Sequence, residues 1–220
     1  DSAMLRLSLL GSAMGCILHQ RGLIPLHISA VAINGRAWGF TAPSGTGKST
    51  LAALLHRFAG CPVVCDDVAA LHVLDDQPYV AGGPPLMKLS PELAGCFGDA
   101  RVEPVPHPES DKLKIQIERS FVPGLLPLAG IVVLERDADV ALGGLDVKRL
   151  SGSEAFLGAR EVVYRYEMGL AMSSLAEMFQ QLTALARQVP FYRGRLGRWT
   201  VADDGETAPA IVEQLAMLGG

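Results

Sequence analysis

The stretch LHISAVAINGRAWGFTAPSGTGKSTLAALLHRFAGCPVVCDDVAAL, residues 26–71, contains the pattern that decides the fold. At its centre, residues 42–49 read A-P-S-G-T-G-K-S. This octapeptide matches the phosphate-binding pattern G-x-x-x-x-G-K-[ST], except that Ala42 replaces the first glycine. We refer to residues 42–49 as the phosphate loop.

The residue types of the phosphate loop suit the chemistry of a nucleotide's phosphates. Gly45 and Gly47 allow successive backbone N–H groups to turn toward one phosphate oxygen. Lys48 brings a positive charge to the β- and γ-phosphates, and Ser49 offers a hydroxyl to a magnesium ion. The predicted nucleotide-binding residues are Ser44, Gly45, Thr46, Gly47, Lys48, Ser49 and Thr50.

The segments around the loop favour this interpretation over its alternative, a glycine-rich turn before an ordinary helix. Residues 37–41 read as a buried strand, and the apolar side chains of residues 49–58 recur at helical spacing. Upstream, Asn34-Gly35 is a strong hairpin turn signal. The strand that enters the loop is therefore expected to follow an antiparallel hairpin, unlike the strands of a doubly wound nucleotide-binding sheet.

Two adjacent carboxylates follow the loop helix. Residues 62–65 read as a short apolar strand that ends at Asp66 and Asp67. Phosphoryl transfer to an alcohol requires charge neutralisation and a base, so we expect one aspartate to hold magnesium and the other to accept the proton. The alternative is a pair of this kind in a nucleotide hydrolase without an acceptor site.

The motifs LH-x-SAV, APSGTGKST and VVCDDV resemble the C-terminal catalytic domain of HPr kinase/phosphorylase. Within that superfamily the chain is most similar to HPr-kinase-related proteins encoded beside peptide-maturation genes, including the kinases of lasso-peptide precursors. The resemblance implies an α/β fold of the HPr-kinase and PEP-carboxykinase type, with a mixed, largely antiparallel sheet, a phosphate loop and flanking helices. The R-G-x-G-I segment that follows the aspartates in true HPr kinases is absent here, which argues against HPr as the substrate.

The resemblance also implies roles for individual residues. Asp66 is expected to be the base, Asp67 and Ser49 the metal partners, and Lys48 a catalytic cation, with ATP and Mg2+ as cofactors. His27 matches the family's active-site histidine, although a lone strand histidine is more often a core residue.

Three basic residues are candidate substrate contacts. Lys112 directly follows a Gly- and Pro-rich segment, residues 97–111, which reads as an exposed loop. Lys88 precedes the same segment. Arg193 belongs to a basic cluster near the C-terminus that suits docking of an acidic peptide. The alternatives are solvated strand lysines and a basic strand edge that discourages pairing.

Composition places the chain among globular proteins. Its 220 residues are 49% apolar and 19% charged, which suits one kinase domain over residues 1–220, with a leading helix within residues 1–24. A net charge of −4 argues against nucleic-acid and anionic-membrane partners. Four cysteines without metal-ligand spacing are typical of a reducing cytoplasm. The sequence leaves open whether the chain forms a homo-oligomer.

The sequence therefore predicts an ATP-dependent kinase that phosphorylates a serine hydroxyl of a peptide or protein. The resemblance narrows the substrate to a ribosomal, lasso-type precursor peptide. Two alternatives stay open: a small-molecule kinase acting on free serine or a similar metabolite, and a non-catalytic nucleotide sensor in which the aspartates only hold magnesium.

Overall fold

A nine-stranded sheet forms the centre of the molecule. The computed structural model describes residues 9–98, 100–106, 110–117, 121–199 and 204–219. The first seven strands, in spatial order, are β1 (Ile24–Leu26), β5 (Ala69–Leu74), β6 (Gln77–Ala81), β10 (Leu125–Arg136), β3 (Arg36–Thr41), β2 (Ser29–Ile33) and β4 (Val63–Asp66). The last two, β12 (Phe191–Leu196) and β11 (Leu145–Arg149), continue the sheet from the C-terminal half of β10.

The pairing pattern confirms the predicted mixed, largely antiparallel sheet. Within the described chain, the only parallel strand pairs are those of β10 with β3 and of β10 with β12. All other pairs of the large sheet are antiparallel. Because β3, β10 and β12 run in the same direction, their carboxyl ends meet at one edge, where β3 leads into the phosphate loop.

The predicted hairpin is present between β2 and β3. Its turn residues, Asn34 and Gly35, have positive φ values of 50° and 73°, and Ile33 pairs with Arg36. A two-residue turn with both φ values positive matches the right-handed twist of its strands, and Asn-Gly tolerates this conformation. The hairpin fixes the register of β3 and hence the position of the phosphate loop.

A second sheet lies beside the large one and corrects the prediction for residues 97–111. Its strands, in spatial order, are β7 (Leu86–Leu89), β9 (Leu113–Gln116) and β8 (Val102–Pro104). The predicted exposed loop thus contains β8, which pairs with β9. Pro104 and the surrounding Gly and Pro residues suggested a loop, but an edge strand tolerates proline because one side of its backbone has no partner.

Helices cover both faces of the large sheet. Within the described residues they are α1 (Met14–Gln20), α2 (Lys48–Ala59), α3 (Pro91–Ala94), α4 (Gly152–Val162), α5 (Tyr166–Met172), α6 (Leu175–Gln188) and α7 (Asp204–Leu218), with a π-helical turn at Leu9–Ala13 and a 3-10 turn at Gly95–Phe97. Of the predicted leading helix, residues 1–8 lie outside the described residues, and Ile24 belongs to β1.

Two apolar clusters fill the space between sheet and helices. Alternate residues of β2 point to opposite faces, so that Val31 belongs to one cluster and Ala30 to the other. The first cluster joins the sheet to α2, α7 and the small sheet, and the second joins it to α4 and α6. No helix among the described residues has the length and apolar character needed to cross a membrane.

Candidate active site

The phosphate loop connects β3 to α2 through two left-handed glycines. Gly45 has a φ of 84° and Gly47 a φ of 118°, values that residues with a Cβ atom rarely adopt. Helix α2 begins at Lys48, directly after Gly47. The N–H groups of its first turn have no partner within the helix, and its dipole is positive at this end, so the loop is built to bind an anion.

Lys48 lies almost buried beneath the loop. Its Nζ donates a hydrogen bond to the Ala42 carbonyl at 2.8 Å, inside the loop's own curve. Burial lowers the pKa of Lys48, and the charge of Asp66 opposes that shift. The flexible four-carbon side chain allows the ammonium to exchange this carbonyl for a phosphate oxygen.

Asp66 is the buried member of the aspartate pair. Its Oδ1 accepts hydrogen bonds from Ser29 Oγ at 2.6 Å and from Ser49 Oγ at 2.8 Å, and its Oδ2 accepts one from the Lys88 backbone N–H at 2.9 Å. Burial raises the pKa of the Asp66 carboxyl, while these three hydrogen bonds favour the charged form and oppose the rise. The carboxylate is therefore held in one orientation against the phosphate loop.

Asp67 faces the open side of the same site. Its side chain is 34% exposed, and its Oδ2 forms an ion pair with Lys88 Nζ at 2.5 Å. Its Oδ1 lies 3.6 Å from His27 Nε2. The residue has a φ of 92°, an uncommon value for a non-glycine residue that concentrates at functional sites.

His27 is fixed at the start of the hairpin. Its backbone N–H donates to the Val162 carbonyl at 2.7 Å, and its ring meets the Tyr164 ring edge-on at a centroid distance of 5.7 Å. Burial, followed by the charge of Lys48, lowers the pKa of His27. These effects favour the neutral imidazole, whose Nε2 faces Asp67.

These residues surround one cavity of about 270 Å³. Its lining residues are His27, Ser29, Ser44, Gly45, Gly47, Lys48, Ser49, Thr50, Asp66, Asp67, Lys88, Ser90 and Lys112. The cavity thus brings together nearly all residues that the sequence predicted for the site. Thr46 is not part of the lining; its carbonyl points away and accepts a hydrogen bond from Arg136.

Arg193 is not among the residues that line the cavity, and its role in docking an acidic peptide stays a prediction. It lies in β12, and its guanidinium is 4.0 Å from the Glu161 carboxylate on α4. In β12, which pairs in parallel with β10, this side chain lies on the face of the sheet that α4 covers.

The oxygen atoms around Ser49 fit a magnesium ion. Its Oγ and Asp66 Oδ1 lie 2.8 Å apart, and both are the hard oxygen ligands that Mg2+ prefers. No group of three or more His, Cys, Asp or Glu side chains placed to hold a metal occurs in the described part of the chain. Such a site matches the habit of Mg2+ of binding through one or two carboxylates together with substrate phosphates and water.

These contacts favour the reverse of the roles predicted for the aspartates. Asp66 touches the hydroxyl of Ser49, the residue expected to meet the ion, and all its contacts hold it in place. Asp67 is accessible and has no contact with Ser49 among its ion-pair and hydrogen-bond partners. A metal partner is expected beside the loop serine, which favours Asp66. A base must reach the acceptor, which favours Asp67.

Three residues of the site were not singled out from the sequence as functional. Ser29 follows His27 by two positions, and this spacing places the two side chains on the same side of an extended chain. The spacing could therefore have indicated that Ser29 belongs to the site. Ser90 lines the cavity and also caps α3. Arg136 approaches the loop from a strand end 90 residues away, and no local sequence signal indicates that.

No protein-family model matches this chain, and no curated protein matches it. Among solved structures it is similar to the HPr(Ser) kinase/phosphatase from Coxiella burnetii, with 12% sequence identity and a TM-score of 0.44. The match covers 88% of this chain and 93% of that chain.

Proposed function

We propose that this protein is an ATP-dependent kinase that transfers the γ-phosphoryl group to a serine hydroxyl of a peptide or protein. One observation supports this above all. The cavity contains two adjacent carboxylates in different surroundings: Asp66 is bound to the phosphate loop, and Asp67 is accessible beside it. The first carboxylate is placed to hold a metal at the phosphates, and the second is accessible as a base for an acceptor hydroxyl.

The loop side of the cavity binds and orients the nucleotide. The N–H groups of Gly47 and of the first turn of α2 donate hydrogen bonds to phosphate oxygens. Lys48 neutralises charge on the β- and γ-phosphates. Ser49 and Asp66 would hold Mg2+, which supplies charge neutralisation at the phosphates when it is bound. In the proposed complex the γ-phosphoryl group faces Asp67, which lines the same cavity.

Asp67 is the proposed general base. As the serine Oγ forms its bond to the γ-phosphorus, the hydroxyl proton passes to the Asp67 carboxylate, and the bond from phosphorus to the bridging oxygen of ADP breaks. Lys88 holds one carboxylate oxygen at 2.5 Å. The other oxygen, which faces His27 at 3.6 Å, is the one available to the acceptor.

The acceptor class rests on the resemblance of residues 26–71 to HPr-kinase-related proteins. The narrower proposal is a ribosomal precursor peptide of the lasso type. Lys112 lines the cavity, and no ion pair within the described residues engages it, so it is the proposed contact to the acceptor or to the transferred phosphoryl group.

The test measures nucleotide affinity and phosphoryl transfer separately for each single variant. The purified chain is titrated with Mg-ATP and then incubated with labelled ATP and a library of serine peptides, with free serine as a second acceptor. Lys48→Ala should abolish binding. Asp66→Asn should weaken Mg-ATP binding, whereas Asp67→Asn should preserve binding and reduce transfer about 10²–10⁴-fold, the usual worth of a general base.

Asp75→Asn is the matched control, because Asp75 belongs to a second aspartate pair in the exposed turn between β5 and β6. It should change neither quantity. Transfer to free serine but to no peptide would favour the small-molecule kinase. Binding without any transfer, with equal binding defects in both cavity variants, would favour the sensor. Transfer at the wild-type rate by Asp67→Asn would refute the proposed base.

A further inference from the structure

Arg136, the last residue of β10, connects the phosphate loop to the end of the neighbouring strand. Its Nε donates a hydrogen bond to the Thr46 carbonyl at 2.7 Å, and its Nη1 donates one to the Gly197 carbonyl at 3.3 Å. Arg136 pairs in register with Leu196, so Gly197 immediately follows the paired segment of β12. The planar guanidinium thus spans two backbone carbonyls from different parts of the chain.

The Thr46 carbonyl is the part of the loop whose direction matters for phosphate binding. For the N–H of Gly47 to point into the loop, the carbonyl of the same peptide unit, which belongs to Thr46, must point outward. An outward carbonyl beside two left-handed glycines has no helix or strand partner. Arg136 supplies a charged donor to it, and hydrogen bonds from charged donors are stronger than neutral ones.

The other end of this connection is anchored in a crowded segment. The Gly197 N–H donates to the Gly144 carbonyl at 3.0 Å, and a Cβ at Gly197 would overlap the Ala141 carbonyl. Close packing of backbone against backbone leaves Gly197 little room to move. Arg136 therefore connects the Thr46 carbonyl to this crowded segment.

Arg136 also adds charge beside the loop. In the described part of the chain it forms no ion pair, unlike Arg195, which pairs with Asp137 at 2.6 Å and with Asp146 at 3.3 Å. Its Nη2 lies 3.1 Å from the place that a Cβ at Gly47 would occupy. An unneutralised guanidinium at this distance from the loop increases its attraction for a polyanion.

We propose that Arg136 is a positioning residue for nucleotide binding, which holds the Thr46–Gly47 peptide with its N–H toward the phosphates. This inference rests on the proposed function in so far as the loop binds a nucleotide. Arg136 is exposed, so its loss should cost the fold little. Its loss should instead lower the fraction of molecules whose loop is ready to bind.

The experiment compares Arg136→Ala, Arg136→Lys and the control Arg195→Ala in the full chain. Hydrogen exchange of the amides of residues 45–49 is measured without nucleotide, and Mg-ATP affinity by titration. Arg136→Ala should accelerate exchange in the loop and weaken Mg-ATP binding by about tenfold. This factor corresponds to the lower end of the range for a hydrogen bond from a charged group, because the site is exposed. Arg136→Lys, which keeps the charge and one donor, should recover part of both losses. Arg195→Ala should leave both unchanged.

Unchanged loop exchange in Arg136→Ala would overturn the proposal, and so would exchange that rises equally throughout the chain, which indicates general destabilisation. Affinity equal to that of the wild type would also overturn it. Failure of the proposed function is distinguishable, because the wild type would then bind no Mg-ATP and Lys48→Ala would change nothing. The exchange measurement still tests the role of Arg136 in that case, since it needs no nucleotide.

Discussion

Asp66 and Asp67 are adjacent in sequence, yet their surroundings give them different chemistry. Asp66 receives hydrogen bonds from Ser29, Ser49 and the Lys88 backbone, while Asp67 is partly exposed beside Lys88 Nζ. From sequence alone the two carboxylates are equivalent, because both follow the same apolar strand. Ser29 lies 37 residues from Asp66, and only the fold brings such distant partners to the two carboxylates.

Asp66→Asn should stabilise the unliganded protein at neutral pH. Burial raises the pKa of Asp66 in the folded protein, so the stability that this group contributes is fully present below its unfolded pKa and is lost as the pH rises through the folded value. Above the unfolded pKa, folding must either bury this carboxylate as a charge or protonate it, and both oppose folding. Asparagine carries no charge, and its carbonyl can still accept from Lys88 while the serine hydroxyls rotate to accept from its amide.

Thermal unfolding without nucleotide, followed between pH 4 and 8, tests this expectation. The midpoint of Asp66→Asn should exceed that of the wild type at pH 7 to 8, and the difference should shrink toward pH 4. The exposed control Asp75→Asn should show no such trend. A lower midpoint for Asp66→Asn at neutral pH would mean that the lost charge-assisted hydrogen bonds outweigh the relief of burial.

At the scale of elements, β10 is closely packed at Gly130. Gly130 follows an irregularity in the pairing of β10 with β3, and a Cβ there would lie 2.9 Å from both the Trp38 and Tyr192 rings and 3.2 Å from the Pro190 carbonyl. Both rings are buried in the first apolar cluster. They cannot withdraw without disturbing a close-packed core.

Gly130→Ala should therefore destabilise the protein by about 1–3 kcal/mol, the usual cost of overpacking. For a chain of this size that corresponds to a fall of roughly 2–12 °C in the unfolding midpoint. Gly95→Ala is the matched control, because Gly95 has a φ of −58° and no neighbouring atom within 4 Å of an added Cβ. An equal midpoint for the two variants would show that the rings can make room for the methyl group.

Elements with local signals were predictable, and those that depend on distant partners were not. The hairpin turn and the glycine–lysine–serine loop were found because each is specified by a few adjacent residues. The apolar pattern of residues 170–188 predicts a single helix, but the structure divides this segment between α5 and α6, with a capping box between the side chains and backbones of Ser174 and Glu177. Apolar periodicity continues through this break, so the pattern alone did not reveal it.

At the scale of the whole molecule, the cavity lies between two sheets. The large sheet positions the phosphate loop and the aspartates, and the small sheet brings Lys88, with Ser90 and Lys112 just beyond strand ends. The sequence indicated the first half almost completely. It did not indicate the small sheet, because the pairing of β7 with β9 joins segments separated by a stretch that reads as a loop.

Lys88 is the residue that joins the two sheets across the cavity. Its backbone N–H holds Asp66 and its ammonium holds Asp67. Lys88→Met should remove only the contact of the ammonium with Asp67, because methionine keeps the backbone N–H that holds Asp66. Mg-ATP affinity should therefore stay within about threefold of the wild type, while a base no longer held in place should lower transfer by at least about tenfold.

Stability separates this role from a general loss of folding. The Lys88–Asp67 pair is about one-third exposed, so its removal should cost at most about 1 kcal/mol. Lys114→Met is the matched control, since Lys114 pairs in register with Lys88, has the same 31% exposure and contacts Glu103 instead of Asp67. Peptide phosphorylation, Mg-ATP titration and thermal unfolding are measured for both variants. If Lys88→Met transfers phosphate as fast as Lys114→Met, the small sheet does not help to position the base.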